Sequence, residues 1–273
     1  QLLNALSQEI RGPAGELLFA FGVTPGALRE HMRAFREAPR PMRSNGREPA
    51  GLGDVTRDLV EAARADRLDP VIGRDAEVRR LLTILERRQK RHPLLVGEAG
   101  VGKSTVVLEA ARRLSRLTTP EPESETEERA GGFYWTNASR LIAGMAYLGQ
   151  WEERCERLIE ALSDSGAILC VDNLLDLVTT GGQGPHDSLA AFFLPYLQRG
   201  ELRLVTEATP AELQACQRLL PGFVEVFQIL PVPTLDATQA LAALSQIIAT
   251  QEQRHAVAAD PNLDRLVYRL FHR

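Results

Sequence analysis

The stretch that decides the fold reads Leu94-Leu95-Val96-Gly97-Glu98-Ala99-Gly100-Val101-Gly102-Lys103-Ser104-Thr105. A short apolar run gives way to G-x-x-x-x-G-K-S, and a helical pattern opens at Lys103. This is the strand, turn and helix context that a phosphate-binding loop requires. Glycines let the backbone curl around a phosphate chain, so that successive N–H groups and the helix N-terminus point at anionic oxygens. Lys103 offers a compact charge to the β- and γ-phosphates, and Ser104 offers a hydroxyl to Mg2+. At ordinary residue frequencies the pattern arises by chance about once in a hundred chains of this length. The 32 basic residues comprise 30 Arg and only two Lys, Lys90 and Lys103. Lysine retained in so arginine-rich a chain marks a place for an ammonium where a planar guanidinium does not fit. The candidate cradle is therefore Gly97, Glu98, Ala99, Gly100, Val101, Gly102, Lys103, Ser104 and Thr105.

Outward from the loop, apolar runs alternate with helical patterns: a helix over 75–88, the run 94–96, a helix over 103–117, the run 133–135, a helix over 152–162, the run 167–171, a helix around 187–198 and the run 202–206. Such alternation predicts an α/β fold with a central parallel sheet covered on both faces, a three-layer αβα arrangement. Ala167-Ile168-Leu169-Cys170-Val171-Asp172 is a second apolar run ending in a carboxylate. An Asp there can hold Mg2+, often through water; the competing reading is a turn or cap residue. Residues 1–40 read as short helices too few to sustain a core alone. Residues 41–53 read as a Pro-, Gly- and Arg-rich linker, 54–233 as the large α/β unit, and 234–273 as the start of a small helical unit.

The chain has 273 residues, with 32 Lys and Arg against 36 Asp and Glu, a formal charge of −4. It lacks the basic field that grips a nucleic-acid backbone. No apolar run approaches the roughly 20 residues that span a bilayer, so membrane insertion is not expected. Cys155, Cys170 and Cys216 are an odd count without a C-x-x-C pair, which suggests neither a disulfide framework nor a zinc site and fits a reduced cytoplasmic compartment. None of the five histidines lies in an H-E-x-x-H pattern, so Mg2+ is the only metal expected. The acidic stretch Glu121–Glu128 reads as a solvated loop, with a partner-binding segment as the alternative. The chain opens on Gln1 rather than Met, which leaves room for a longer product.

Further text places the chain more closely: Leu68-Asp69-Pro70-Val71-Ile72-Gly73-Arg74-Asp75, Arg87-Arg88 ahead of the loop, Leu141-Ile142-Ala143-Gly144 with Tyr147 and Gly149, Trp151-Glu152-Glu153-Arg154, and Arg199-Gly200-Glu201-Leu202-Arg203. Over roughly residues 54–245 this resembles the first ATPase module of the Clp-type AAA+ chaperones, ring-forming unfoldases and disaggregases that include the type VI secretion ATPase. Residues 1–37 resemble part of the Clp amino-terminal domain. The resemblance implies an AAA+ P-loop NTPase fold followed by a helical lid, ATP with Mg2+ as cofactors, and a hexameric ring with ATP between subunits. It implies adenine near Val71, Ile72 and Gly73, and a polypeptide client or adaptor gripped by Tyr147 on a pore loop. The residue-level alternative for Tyr147 is a packing aromatic.

The chain departs from the family at the chemical step. Where the family has a water-polarising Glu after Asp172, this chain has Asn173; an amide orients water but accepts no proton, which typically costs ~10²–10⁴ in rate. Where the family places two arginines before Phe-Gln, this chain has Glu225 and Val226, and a missing arginine finger costs on the order of 10³–10⁵. Asp176 as substitute base and Arg218 as substitute finger compete with plain surface roles. Thr209 matches the polar residue that senses the γ-phosphate, but the preceding Thr206 and Glu207 depart from the family's G-A-T-T. The expectation is an ATP-binding, hydrolysis-impaired module in which Ser104 and Asp172 hold the metal. The alternatives are an active unfoldase, disaggregase or secretion-sheath disassembly ATPase, and a non-catalytic nucleotide-binding scaffold.

Overall fold

The computed structural model describes residues 53, 55–68, 71–117, 132–144 and 150–271. The chain divides into two units, Gln1–Arg47 and Glu48–Arg273, and everything described belongs to the second. The helices expected in 1–40, most of the linker, the acidic stretch Glu121–Glu128 and Tyr147 lie outside the described residues.

Six strands form one sheet: β1 (Arg57–Asp58), β2 (His92–Val96), β3 (Phe133–Thr136), β4 (Ile168–Val171), β5 (Leu204–Ala208) and β6 (Phe227–Pro231). Their order is β1-β3-β4-β5-β2-β6. Only β1 runs antiparallel to its neighbour; the other pairs are parallel. Parallel neighbours need crossovers, and helices supply them. Those before the central strand are α1 (Leu59–Arg64) and α2 (Asp75–Leu85), and α3 (Lys103–Leu117) follows it. Then come α4 (Ala138–Ile142), α5 (Gln150–Ser165), α6 (Leu174–Thr179), α7 (Leu189–Arg199), α8 (Pro210–Leu219) and α9 (Pro221–Val224). The chain leaves the sheet through α10 (Ala237–His255) and α11 (Leu263–Phe271), which pack on each other.

Successive strand residues feed opposite cores, because side chains alternate across a strand. Leu94, Leu169, Val171 and Leu204 join Leu158, Leu177, Phe193 and Phe223 on one face. Leu95, Ile168, Cys170 and Val205 join Leu81, Val106 and Ala110 on the other. The central strands are buried on both faces, hence their mostly apolar text. The three layers expected from the sequence are present. The strand expected at 202–206 lies instead at Leu204–Ala208 and so carries two buried polar residues, Thr206 and Glu207. Polar text had cut the apolar pattern short. β1 and β6 gave no clear signal: β1 is two residues long, and β6 is an edge strand with two exposed positions and a terminal Pro, which edge strands tolerate.

Local chemistry sets the helix ends. Ser188 caps α7 from its side chain, and Gly200 ends it at φ 76° in the left-handed region, the usual C-terminal glycine stop. Asp236 and Gln239 form a reciprocal capping box at the start of α10. No residue of α10 is buried, and Ile247, Leu266 and Leu270 in this helical pair, with Val257 in the connection between them, are exposed. All three cysteine thiols are free and buried. Desolvation pushes Cys155 up to about 12 and Cys216 up to about 11, with Cys170 well above the ordinary range, so none is a nucleophile at neutral pH.

His92 ties the sheet to α7. Its Nδ1 accepts from the Leu204 N–H at 3.3 Å, which leaves Nε2 to donate to the Leu197 carbonyl at 3.3 Å. It is 4% exposed, and burial lowers its pKa to about 4 against an opposing hydrogen bond to Leu197. As pH falls from about 6.5 to about 4, the unfolded chain takes up a proton that the folded chain refuses. Stability on this account falls over that window by up to about 3 kcal/mol. Melting curves from pH 7 to pH 4 should show this loss, and His92→Asn, although less stable at pH 7, should show a shallower one. Phe193→Ala, at a fully buried position, should cost about 3–5 kcal/mol in denaturant unfolding.

Candidate functional site: the loop after β2 and its neighbours

The loop after β2 is rooted on both sides. The Gly97 N–H donates to the Ala208 carbonyl at 3.2 Å, and the Val232 N–H donates to the Val96 carbonyl at 2.8 Å. A Cβ on Gly97 would drive into the Val232 carbonyl and meet Val101 Cγ2 at 2.9 Å, so only glycine permits this approach. Gly102, at φ 93°, turns the chain into α3 in a conformation that L side chains rarely adopt. Arg74, 4% exposed, donates to the Val101 carbonyl and to Glu77 Oε1 at 3.5 Å, bracing the loop from the start of α2. Its buried charge is thereby paired and hydrogen-bonded, as burial demands.

Lys103 Nζ donates to the carbonyls of Gly97 and Glu98, both at 2.9 Å, and so sits over the curl of the loop. Ser104 Oγ donates to Glu207 Oε2 at 3.0 Å. Glu207 lies on β5 opposite Leu95, is 5% exposed, and its Oε1 is buried with no hydrogen-bond partner. Burial raises its carboxyl to about 7; the Ser104 hydroxyl and Lys103 pull it down, and Asp172 pushes it up. Asp172 follows β4, and the β4–β5 register, with Val171 beside Thr206, leads on to Asp172 beside Glu207. Although Asp172 is exposed as a residue, desolvation raises its carboxyl above the ordinary range, partly opposed by a hydrogen bond from Trp135.

Asn173 is occupied on both sides of its amide. Oδ1 caps α6 by accepting from the Leu175 N–H at 2.7 Å and the Asp176 N–H at 3.3 Å. Nδ2 donates to Glu212 Oε1 at 2.9 Å. Glu212 in turn completes a capping box with Thr209 at the start of α8: its Oε2 accepts from the Thr209 N–H at 2.6 Å, and Thr209 Oγ1 accepts from the Glu212 N–H at 3.2 Å. Desolvation pushes the Glu212 carboxyl up, but the Thr209 and Asn173 hydrogen bonds and the nearby Lys103 together hold it below the usual range. Thr209 thus stands at the sheet edge where the loop and Asp172 also emerge, with its hydroxyl serving a helix cap.

The remaining expected residues are dispersed. Val71 and Ile72 are half-buried ahead of α2, and Gly73, at φ 75°, lies against Leu235, where a Cβ would meet Cδ2 at 3.9 Å. Asp176 and Arg218 are exposed helix residues. Glu225 is exposed just beyond α9, while Val226 packs against the core. Arg154 Nη1 donates to the carbonyls of Arg140, Leu141 and Ala143 at 3.4, 3.2 and 2.9 Å, satisfying groups at the end of α4. Glu207 and the Arg74 brace were missed as site residues. The legible sign for Glu207 was a lone carboxylate inside an otherwise apolar run.

Mg2+ and a nucleoside triphosphate fit these residues. Ser104, Asp172 and Glu207 are hard oxygen donors, and Glu207 Oε1 is buried without a hydrogen-bond partner. Among the described residues, no three His, Cys, Asp or Glu side chains converge into a self-sufficient metal cage. Mg2+ suits that economy, being held by one or two carboxylates together with substrate phosphates.

The sequence profile of the AAA ATPase domain matches residues 70–261, a span that contains the loop, Asp172 and Glu207. The chaperone protein ClpB of Rhodopseudomonas palustris is 34% identical over 269 residues, 94% of this chain and 29% of ClpB. The AAA+ ATPase ClpV1 of Pseudomonas aeruginosa is 34% identical over 224 residues, 81% of this chain and 24% of ClpV1. Hsp104 of S. cerevisiae in its ADP complex superposes with a TM-score of 0.66 at 28% identity, covering 78% of this chain and 36% of that one. Hsp104 with ATPγS and casein superposes at 0.65. The chain therefore spans well under half the length of these relatives. By this match and this sheet order the chain belongs to the AAA ATPase family, as a module related to ClpB, Hsp104 and ClpV.

Proposed function

We propose that this chain is the ATP-binding module of a Clp-like protein-remodelling machine in which hydrolysis is impaired and nucleotide mainly orders assembly. The observation that carries the reading is Asn173. At the position where the resembling family polarises water, the side chain is a neutral amide whose Oδ1 caps α6 and whose Nδ2 is bonded to Glu212. The exposed Glu225 and the packed Val226, in place of paired arginines, support the same reading, since neither can neutralise charge on a transferring phosphoryl group.

The geometry of the loop supports nucleotide binding as the other half of the reading. Loop N–H groups and the start of α3 would receive phosphate oxygens. Lys103 is placed to exchange the Gly97 and Glu98 carbonyls for them. Val71, Ile72 and Gly73 would border the base. Ser104 and Asp172 would hold Mg2+, which neutralises phosphate charge when bound. Extending the likeness, we assign residues 1–40 to a partial Clp amino-terminal repeat, 41–53 to a linker, 54–233 to the large AAA+ subdomain and 234–273 to the start of its lid. We further assign a cytoplasmic, hexameric ring, and a polypeptide client or adaptor for Tyr147, by likeness to the casein-bound Hsp104. No helix of the described residues is long and apolar enough to cross a membrane.

Calorimetry and sedimentation on the full-length protein test this reading. ATP and a non-hydrolysable analogue should promote the same assembly, and Lys103→Ala should weaken nucleotide binding about 10- to 100-fold by removing charged hydrogen bonds worth roughly 1.5–3 kcal/mol. Nucleotide binding without assembly would favour the scaffold, and assembly that ATP supports but the analogue does not would overturn the ordering role.

A further inference from the structure

A carboxylate within a central strand is costly unless it is paired and hydrogen-bonded. Glu207 is 5% exposed, yet its hydrogen bond is a single one to the Ser104 hydroxyl, and Oε1 is buried without a partner. The strand places it between β2, which launches the loop, and β4, which ends at Asp172. The positive charge of Lys103 favours the ionised form of Glu207 and the negative charge of Asp172 opposes it. A buried acid with an orphaned oxygen, hydrogen-bonded directly to the loop hydroxyl, is an acceptor placed beside a candidate cation site.

Resting on the Mg-ATP reading above, we propose that Glu207 is a positioning residue of that site, acting on the divalent ion through Ser104. The Ser104 hydroxyl has one proton and two lone pairs; giving the proton to Glu207 turns the lone pairs toward the loop, where a metal ligand needs them. Outer partners of this kind orient a ligand and raise its basicity, and their loss typically lowers metal affinity about 10- to 100-fold. Charge adds a second consequence. Ionised Glu207, beside Asp172, sets negative charge next to the loop, which opposes a bare triphosphate and which a divalent ion relieves. Nucleotide binding by this chain is therefore strongly conditional on Mg2+, and Glu207 is the residue that makes it so.

The test is binding of a fluorescent ADP analogue to the full chain, with Mg2+ removed by EDTA and then titrated in. Glu207→Gln keeps the shape and can still accept from Ser104 but loses the charge; Glu207→Ala removes both and serves as the second variant. For each variant the Mg2+ midpoint should rise about 10- to 100-fold, while affinity in EDTA is unchanged or tighter. A purely bracing role for Glu207 would weaken binding equally with and without Mg2+, and that result, like an unshifted Mg2+ midpoint, overturns the inference. If the wild-type chain takes up no analogue in either condition, the nucleotide reading itself falls, and this inference with it.

Discussion

The structure depends on one constraint: β2 must be gripped on both edges while the loop after it folds back almost onto the backbone of its neighbours. Parallel pairing with β5 and β6, followed by hydrogen bonds through Gly97 and Val232, fixes the direction in which the strand ends. The close approach of Gly97 to Val232 then dictates the curl of the loop, and the curl dictates where Lys103 and Ser104 face. Burial of β2 on both faces makes this direction rigid. Arg74 adds a brace from α2 that no apolar contact could supply, since its target is a carbonyl.

Around that rigid loop, polar residues fall into two groups. Lys103, Ser104, Asp172 and Glu207 surround the mouth of the sheet. Asn173, Thr209 and Glu212, which emerge at the same edge, are instead linked to one another and to the first turns of α6 and α8. The linkage joins two helices across the sheet edge through a neutral amide. In the same region a carboxylate has entered β5 at Glu207. The acidic group nearest the loop hydroxyl is therefore in the sheet, where it can support a metal but is held by Ser104.

Much of this was legible in the residues. The loop, the Lys kept among arginines, Asp172 at a strand end, and the double-faced burial of the central strands all follow from local text, because a both-faces-buried strand must be apolar and a phosphate loop must be Gly-rich. The strand through Thr206 and Glu207 was misplaced by two residues because its polar end owes its burial to tertiary neighbours on β2 and β4. Asn173 was readable as an amide where the resembling family has Glu, but its strut to Glu212 spans 39 positions, and no local pattern encodes a pairing of that separation. The Arg74 brace on Val101 is hidden for the same reason.

The central claim is that triphosphate is held firmly while its cleavage is slow. The most direct measurement is single-turnover hydrolysis of radiolabelled ATP bound to the full-length assembly, read alongside Lys103→Ala. The account predicts that ATP bound through Lys103 persists intact, with cleavage at this module slowed on the order of 10²–10⁴ by the absent carboxylate. Rapid cleavage that Lys103→Ala abolishes, and that is indifferent to every other nucleotide site in the assembly, would contradict it.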